Sequence, residues 1–305
     1  FTAGSNISEI FIQKPSGSNS TFVLNSVSLR EADEDRSVRA NGLQVIGKIT
    51  REPVAPGAEM LAYSGFSTSG EINYLRQSPT TDLDFGTSDF SVTWWQYVPG
   101  DVPENLYIYD RAGNNGNRHA VILYTANSGR VSMYTHQAGA GTTEFYFDNI
   151  NYYKNQWTCY TITRKHTGDM RLYINGREQL YVTGTVRNLD NSNAELFIGV
   201  RHSIANASNY TVKLALLRFS KSIPTEKQVE EMYALEEPLF RNNAKCTLHG
   251  TSNNVTALAY DKKTDLLHAG TSAGRSDFQG LRRINNTTTA VTTAISAHDG
   301  LIVEQ

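Results

Sequence analysis

Phe90-Ser91-Val92-Thr93-Trp94-Trp95-Gln96-Tyr97-Val98 decides the class of fold. Aromatic and β-branched residues fill the run, and such side chains pack better on a pleated strand than along a helix. Neighbours on a strand leave on opposite faces, so Trp94 and Trp95 point apart. At most one of them joins a core between two sheets, and the other is expected to face solvent. Working outward, similar short runs recur at 106–109, 120–125, 130–136, 144–147, 157–164, 170–174, 196–199 and 212–220. Gly, Asn and Asp interrupt them at intervals of roughly 8–12 residues, the rhythm of an antiparallel sandwich. Asn175-Gly176 lies between Arg171-Leu172-Tyr173-Ile174 and Gln179-Leu180-Tyr181-Val182. It predicts a tight hairpin, because both residues tolerate positive φ.

One helix interrupts this β pattern. Pro224-Thr225-Glu226-Lys227-Gln228-Val229-Glu230-Glu231-Met232-Tyr233-Ala234-Leu235 has Ser222 or Thr225 as its cap and Pro238 as its stop. Val229, Met232, Tyr233 and Leu235 or Glu236 make a narrow apolar stripe. After it, Val255-Thr256-Ala257-Leu258-Ala259-Tyr260 and Leu266-Leu267-His268-Ala269-Gly270 form a hairpin, and 290–295 and 301–303 add strands. Residues 255–274 also resemble one blade of a β-propeller, though the sequence repeats no second blade. This small module, rich in Thr, Asn and Ala, buries little surface alone, and self-association would complete its core.

Upstream, Ser8-Glu9-Ile10-Phe11-Ile12-Gln13 and Thr21-Phe22-Val23-Leu24-Asn25-Ser26-Val27-Ser28-Leu29 read as two strands around a Pro-Ser-Gly-Ser-Asn turn. Two strands make no stable sheet. They resemble the closing hairpin of a carbohydrate-binding jelly roll whose remainder would precede residue 1. Glu31-Ala32-Asp33-Glu34-Asp35-Arg36 begins a solvated connector with no aromatic residue beside it to hold a sugar. The expected organisation is therefore residues 1–30, the end of an upstream domain; 31–59, a connector; 60–238, the sandwich; and 239–305, the C-terminal β module.

Composition narrows the functional classes. A formal net charge of −2 leaves no basic stripe for nucleic acid. No apolar run approaches the ~20 residues of a spanning helix, so membrane insertion is not expected. Cys159 and Cys246, the only two cysteines, match neither a disulfide framework nor a zinc site.

Two family resemblances emerge from these runs. Asp82-Leu83-Asp84-Phe85-Gly86-Thr87-Ser88-Asp89-Phe90-Ser91-Val92, Trp95, Trp157, Leu172-Tyr173-Ile174-Asn175-Gly176, Phe197-Ile198-Gly199 and Leu214-Ala215-Leu216-Leu217-Arg218 together resemble a laminin-G or concanavalin-like lectin domain. That resemblance implies an all-β fold: two stacked curved antiparallel sheets (a jelly-roll sandwich) with one short helix. It also leaves calcium open as a cofactor, with Asp82, Asp84, Asp110 and Asp148 as oxygen donors but no spacing that singles out a set. Leu239-Phe240-Arg241-Asn242-Asn243-Ala244-Lys245-Cys246-Thr247-Leu248, then Leu267-His268-Ala269-Gly270-Thr271-Ser272-Ala273-Gly274-Arg275-Ser276 and Gly280-Leu281-Arg282-Arg283-Ile284, resemble the C-terminal module of tailed-bacteriophage fibre and tailspike proteins. The second resemblance implies an extracellular virion component, with other tail proteins as partners and bacterial surface polysaccharide as receptor. A homotrimer is the assembly inferred for it.

The candidate site follows from polar, ring-bearing loops. Asp110, Arg111, Asn114, Asn115, Asn117, Arg118 and His119 combine both hydrogen-bond types with charge, which suits hydroxyl-rich or acidic sugars. Arg201, His202 and Asn206 make a second such loop. Tyr134, His136, Tyr146, Tyr152 and Tyr153 are candidates to stack on sugar faces. Gly270-Thr271-Ser272-Ala273-Gly274 matches the G-x-S-x-G nucleophile elbow, with Asp277 and His298 following in triad order. The elbow needs a strand, a sharp turn and a helix on a large sheet, and 275–280 has no helical period. A non-catalytic receptor-binding protein is the leading expectation. The alternatives are a polysaccharide-cleaving tailspike, which needs two opposed carboxylates, and a structural spacer with a trimerisation module.

Overall fold

The computed structural model describes residues 42–67, 71–100, 105–113, 116–124, 129–148, 150, 154–203, 212–252 and 254–305. The hairpin read at 8–29 and the acidic run at 31–36 lie outside the described residues, as do Asn114, Asn115, Tyr152, Tyr153 and Asn206. The chain divides into two compact units, Phe1–Gly42 and Leu43–Gln305, and the elements below all belong to the second.

In chain order, β1 (Gln44–Ile46), β2 (Thr50–Pro53), β3 (Leu61–Ser64) and β4 (Tyr74–Gln77) precede the long strand β5 (Phe90–Tyr97). A meander follows: β6 (Leu106–Ala112), β7 (Arg118–Tyr124), β8 (Arg130–Gln137) and β9 (Gly141–Phe147). Next come β10 (Trp157–Arg164), β11 (Asp169–Ile174), β12 (Arg177–Thr183), β13 (Glu195–Ile198) and β14 (Lys213–Ser220). They build two seven-stranded antiparallel sheets. The first runs β1-β4-β13-β6-β7-β8-β9 and the second β12-β11-β10-β5-β14-β3-β2. This is the expected sandwich. The one short strand expected inside the connector, at 42–49, is β1, which pairs with β4 at the edge of the first sheet, whereas 50–53, not expected as a strand, forms β2 and pairs with β3 at the edge of the second. Both edges are largely exposed and so carry little apolar pattern.

The core explains why β5 dominates the sequence. Phe90, Val92 and Trp94 face the opposite sheet, and Trp94 stacks on Tyr160 with ring centroids 5.2 Å apart. Trp95 points the other way but is only 1% exposed. Helix α1 (Glu226–Glu236) and the turn Glu237–Phe240 roof it, with Tyr233 and Phe240 stacked at 5.6 and 4.1 Å. The expectation that one of the two tryptophans faces solvent is therefore corrected: each belongs to its own core.

Thr225, the expected alternative to Ser222, caps α1. Its hydroxyl accepts from the Gln228 N–H at 3.2 Å while the Gln228 side chain accepts from the Thr225 N–H at 2.8 Å. At the inner stripe's end Glu236, not Leu235, is buried. Its carboxylate pairs with Arg218 and accepts from the Trp95 indole at 2.7 Å. The Asn175-Gly176 hairpin forms as predicted, with φ of 50° and 80°.

The C-terminal module is an antiparallel meander of β15 (Ala257–Asp261), β16 (Leu266–Thr271), β17 (Gly274–Gln279) and β18 (Arg282–Asn286). Such a four-stranded sheet is the unit of one propeller blade. A hairpin of β19 (Ile295–His298) and β20 (Leu301–Glu304) follows, so the strand expected at 290–295 begins only at its last residue. The G-x-S-x-G stretch is a strand–turn–strand corner between β16 and β17. Asp277 is held by His268 at 2.7 Å and Arg275 at 2.8 Å, whereas His298 lies 3.5 Å from Asp299. No nucleophile elbow exists there. Glu59 ties this module to the sandwich: it accepts from the Cys246 and Thr247 N–H groups, both at 2.9 Å, and from Arg283 at 3.2 Å.

Candidate functional site

The meander's register sorts its side chains between two faces. On one cross-strand row Ala120, Tyr134 and Glu144 lie side by side with Asp110, and on the next Tyr107, Ile122, Ser132 and Tyr146 do so. Arg118, His136 and Thr142 form a third row on the same face. The opposite face, carrying Tyr109, Val121, Val131, Met133, Phe145 and Phe147, is the inter-sheet core. The candidate site is the outward face of the first sheet.

Alternation along β6 and β7 corrects part of the sequence reading. Both strands run further toward their shared turn than expected, so Arg111 and His119 turn inward. Arg111 is 1% exposed. Its guanidinium donates to Asp84 at 2.6 Å and to the carbonyls of Thr80, Leu189 and Asn191. His119 is wholly buried, 3.0 Å from the Tyr109 hydroxyl and packed on Phe85. Burial, with the nearby charges of Arg111 and Arg164, pulls its imidazole down to about 3. Neither residue can touch a sugar. Asn117 braces neighbouring segments, donating to the Asp190 carbonyl at 3.1 Å and accepting from the Ala138 N–H at 2.9 Å.

Asp110 points outward yet is fully buried, because its carboxylate is the anchor of the site rather than its surface. Arg118 grips both oxygens, at 2.8 and 2.7 Å, and His202 donates its backbone N–H at 2.9 Å while its Nδ1 lies at 2.8 Å. Burial works to raise the Asp110 carboxyl, but the hydrogen bonds from His202 and Arg118 outweigh it and hold it below the ordinary range. One buried acid thus fixes an arginine from β7 and a histidine from beyond β13. Two separate loop predictions meet there.

The anchored arginine in turn positions a ring. The Arg118 guanidinium lies 4.7 Å from the centre of the Tyr134 ring, a cation–π contact. Arg130 does the same for Tyr146 at 4.2 Å while paired to Asp148 at 2.5 Å. Between the two rings Glu144 accepts from the Tyr146 hydroxyl at 2.8 Å and from Ser132 at 2.5 Å. Thr142 bonds both Tyr134, at 3.3 Å, and His136, at 3.0 Å. Arg201 stands half-buried next to His202 in sequence, and its buried Nε has no hydrogen-bond partner among the described residues.

Tyr107, Arg130, Ser132, Thr142 and Glu144 were missed as members of this face. The period of two along β8 and β9 (130, 132, 134, 136 and 142, 144, 146) carried the signal. The calcium expectation does not fit: Asp84 is paired with Arg111, Asp110 with Arg118 and Asp148 with Arg130. Among the described residues no group of three or more His, Cys, Asp or Glu could hold an ion.

Stacked seven-stranded sheets with a helix across one outer face define a concanavalin-like lectin fold. The chain belongs to the concanavalin A-like lectin/glucanases superfamily, whose laminin G-type model matches residues 70–230. Among solved structures it is similar to the binding domain of botulinum neurotoxin serotype G, with TM-score 0.51 and 15% identity, covering 84% of this chain and 67% of that one. The receptor-binding domain of botulinum neurotoxin C/D mosaic serotype is similar at TM-score 0.50 and 13% identity, covering 78% and 57%. At these identities the likeness is one of fold. The chain spans less than two thirds of the length of the first such domains. These neighbours are neurotoxin domains rather than phage fibres, and no curated protein sequence matches the chain.

Proposed function

We propose that this protein binds carbohydrate on a bacterial surface through the outward face of the first sheet. In this reading it is a non-catalytic, homotrimeric component of a phage tail fibre or spike that serves adsorption. The carrying observation is the pair of arginine-backed rings, Tyr134 and Tyr146, with the Glu144 carboxylate set between them and the Thr142 hydroxyl on the other side of Tyr134. A sugar presents an apolar C–H face and a rim of hydroxyls. Held rings stack on the former and carboxylate or hydroxyl groups receive the latter. Solved domains of similar fold include receptor-binding domains, which agrees with a recognition role. The phage assignment is supported by the sequence of residues 239–305.

The test is titration of host lipopolysaccharide and capsule into the chain and its Tyr134→Ala and Tyr146→Ala variants. Binding that falls at least tenfold in either variant, with melting unchanged, supports the proposal. No binding to any surface polysaccharide, or binding indifferent to both variants, overturns it. The cleaving alternative has less support. Asp89 and Asp169, which line a polar hollow of about 390 Å³ beside α1, are already engaged by His166 and by Tyr181 and Thr167. Loss of polysaccharide viscosity on incubation would restore it.

A further inference from the structure

Between β3 and β14 the second sheet comes apart. The two strands are in register at Leu214 and Tyr63 alone, and β14 then bulges between Ala215 and Arg218. Leu216 sits in the bulge at φ +49°, a left-handed conformation that leucine adopts only where its surroundings impose it. Bulges of this kind re-aim side chains and end pairing. Here the split opens a cleft of about 430 Å³ that reaches the core between the sheets.

Leu61 and Tyr63 of β3, Leu216 and Leu217 of β14, and Leu75 and Leu196 of the opposite sheet form its walls. Among all its lining residues only Gln77 and Tyr63 bear a polar side-chain group, and none is charged. Leu43 and Leu61 are 47% and 44% exposed and mark an open mouth. The cleft's volume falls within the range of small-ligand sites, and its walls are mainly apolar.

We propose that this cleft takes the alkyl chain of an amphiphile, such as a fatty acid, whose polar head stays in solvent at the mouth. The absence of charge along the walls excludes an ionised group from the interior. Most of the lining side chains are aliphatic, with Tyr63, Phe66 and Phe219 the aromatic ones, and a mainly aliphatic wall suits a flexible chain over a flat ring. The site is separate from Tyr134 and Tyr146 and does not depend on the carbohydrate reading.

The probe is cis-parinaric acid, a fluorescent fatty acid, titrated below its micellar concentration into the full chain. Saturable binding of one probe per chain, displaced by dodecanoate, is expected. Leu217→Trp, which fills the cleft, should weaken binding at least tenfold. Should that variant fold poorly, Leu43→Gln at the exposed mouth should still weaken it several-fold at unchanged melting temperature. Binding that does not saturate, or that neither variant weakens, overturns the proposal.

Discussion

Glu59 is part of the contact between sandwich and C-terminal module, and its chemistry gives that contact a pH dependence. Burial favours its neutral form, but the N–H groups of Thr247 and Cys246, the Thr247 hydroxyl and the Arg283 charge together bring it down to about 2 from an ordinary 4.5. A depressed carboxyl stabilises the folded chain at pH values above its unfolded pKa and loses that contribution as pH falls toward the folded one. Glu59→Gln should therefore lower stability by at most about 3 kcal/mol at pH 7. The gap in melting temperature between variant and parent should close between pH 4.5 and 2. A gap independent of pH in calorimetry would contradict this. Arg118→Ala poses a different residue-scale problem, because it leaves Asp110 buried with only His202 beside it. Loss of roughly 3–5 kcal/mol is expected, the usual consequence of stranding a buried charge, and urea unfolding measures it. Asp110 and Arg118 stood out in the sequence as polar residues near a turn. That Asp110 faces Arg118 rather than solvent was not legible, since its partner His202 is 92 residues away.

At the scale of elements, the strongest sequence signals were those where local and tertiary demands agree. Asn175-Gly176 forms a tight turn because of its own backbone freedom, and the same turn seats α1. A Cβ on Gly176 would meet Tyr233 Cβ at 3.1 Å and Glu230 Cα at 3.2 Å. Its φ of +80° also disfavours any side chain. Gly176→Ala should thus cost about 1–2 kcal/mol and shift the helix outward, seen as altered fluorescence of Trp95. Unchanged fluorescence and stability would show that α1 is not seated there. Elsewhere element bounds were hidden for physical reasons. Asp110-Arg111 and Arg118-His119 look like loop because they are charged, yet each alternates one side chain outward and one inward as a strand must. The fate of Trp95 was equally illegible, because the roof over it is assembled from a helix 130 residues downstream whose buried end is a glutamate.

For the whole molecule, the sandwich and the C-terminal module distribute apolar surface unequally. Of the fifteen large hydrophobic residues exposed among the described residues, eight lie between Val255 and Val303. Leu301 and Val303 of β20 are 76% and 68% exposed, and Leu258 and Tyr260 of β15 are 60% and 53%. Soluble monomers seldom display such surface so densely, and copies of the same chain that close around an axis would cover it. The homotrimer proposed above therefore belongs to this module, while the ring-bearing face of the sandwich stays open to ligand. Light scattering on the full chain should give three times the 33.9 kDa chain mass. Leu301→Ser combined with Val303→Ser should shift it toward monomer at micromolar concentration, with the circular dichroism of the sandwich retained. Three linked faces would then engage a repeating polysaccharide together, so the variant should lose far more affinity for polymer than for a short oligosaccharide. A parent chain that runs as a monomer, or a variant that stays trimeric, would detach assembly from these residues and leave avidity without a structural basis.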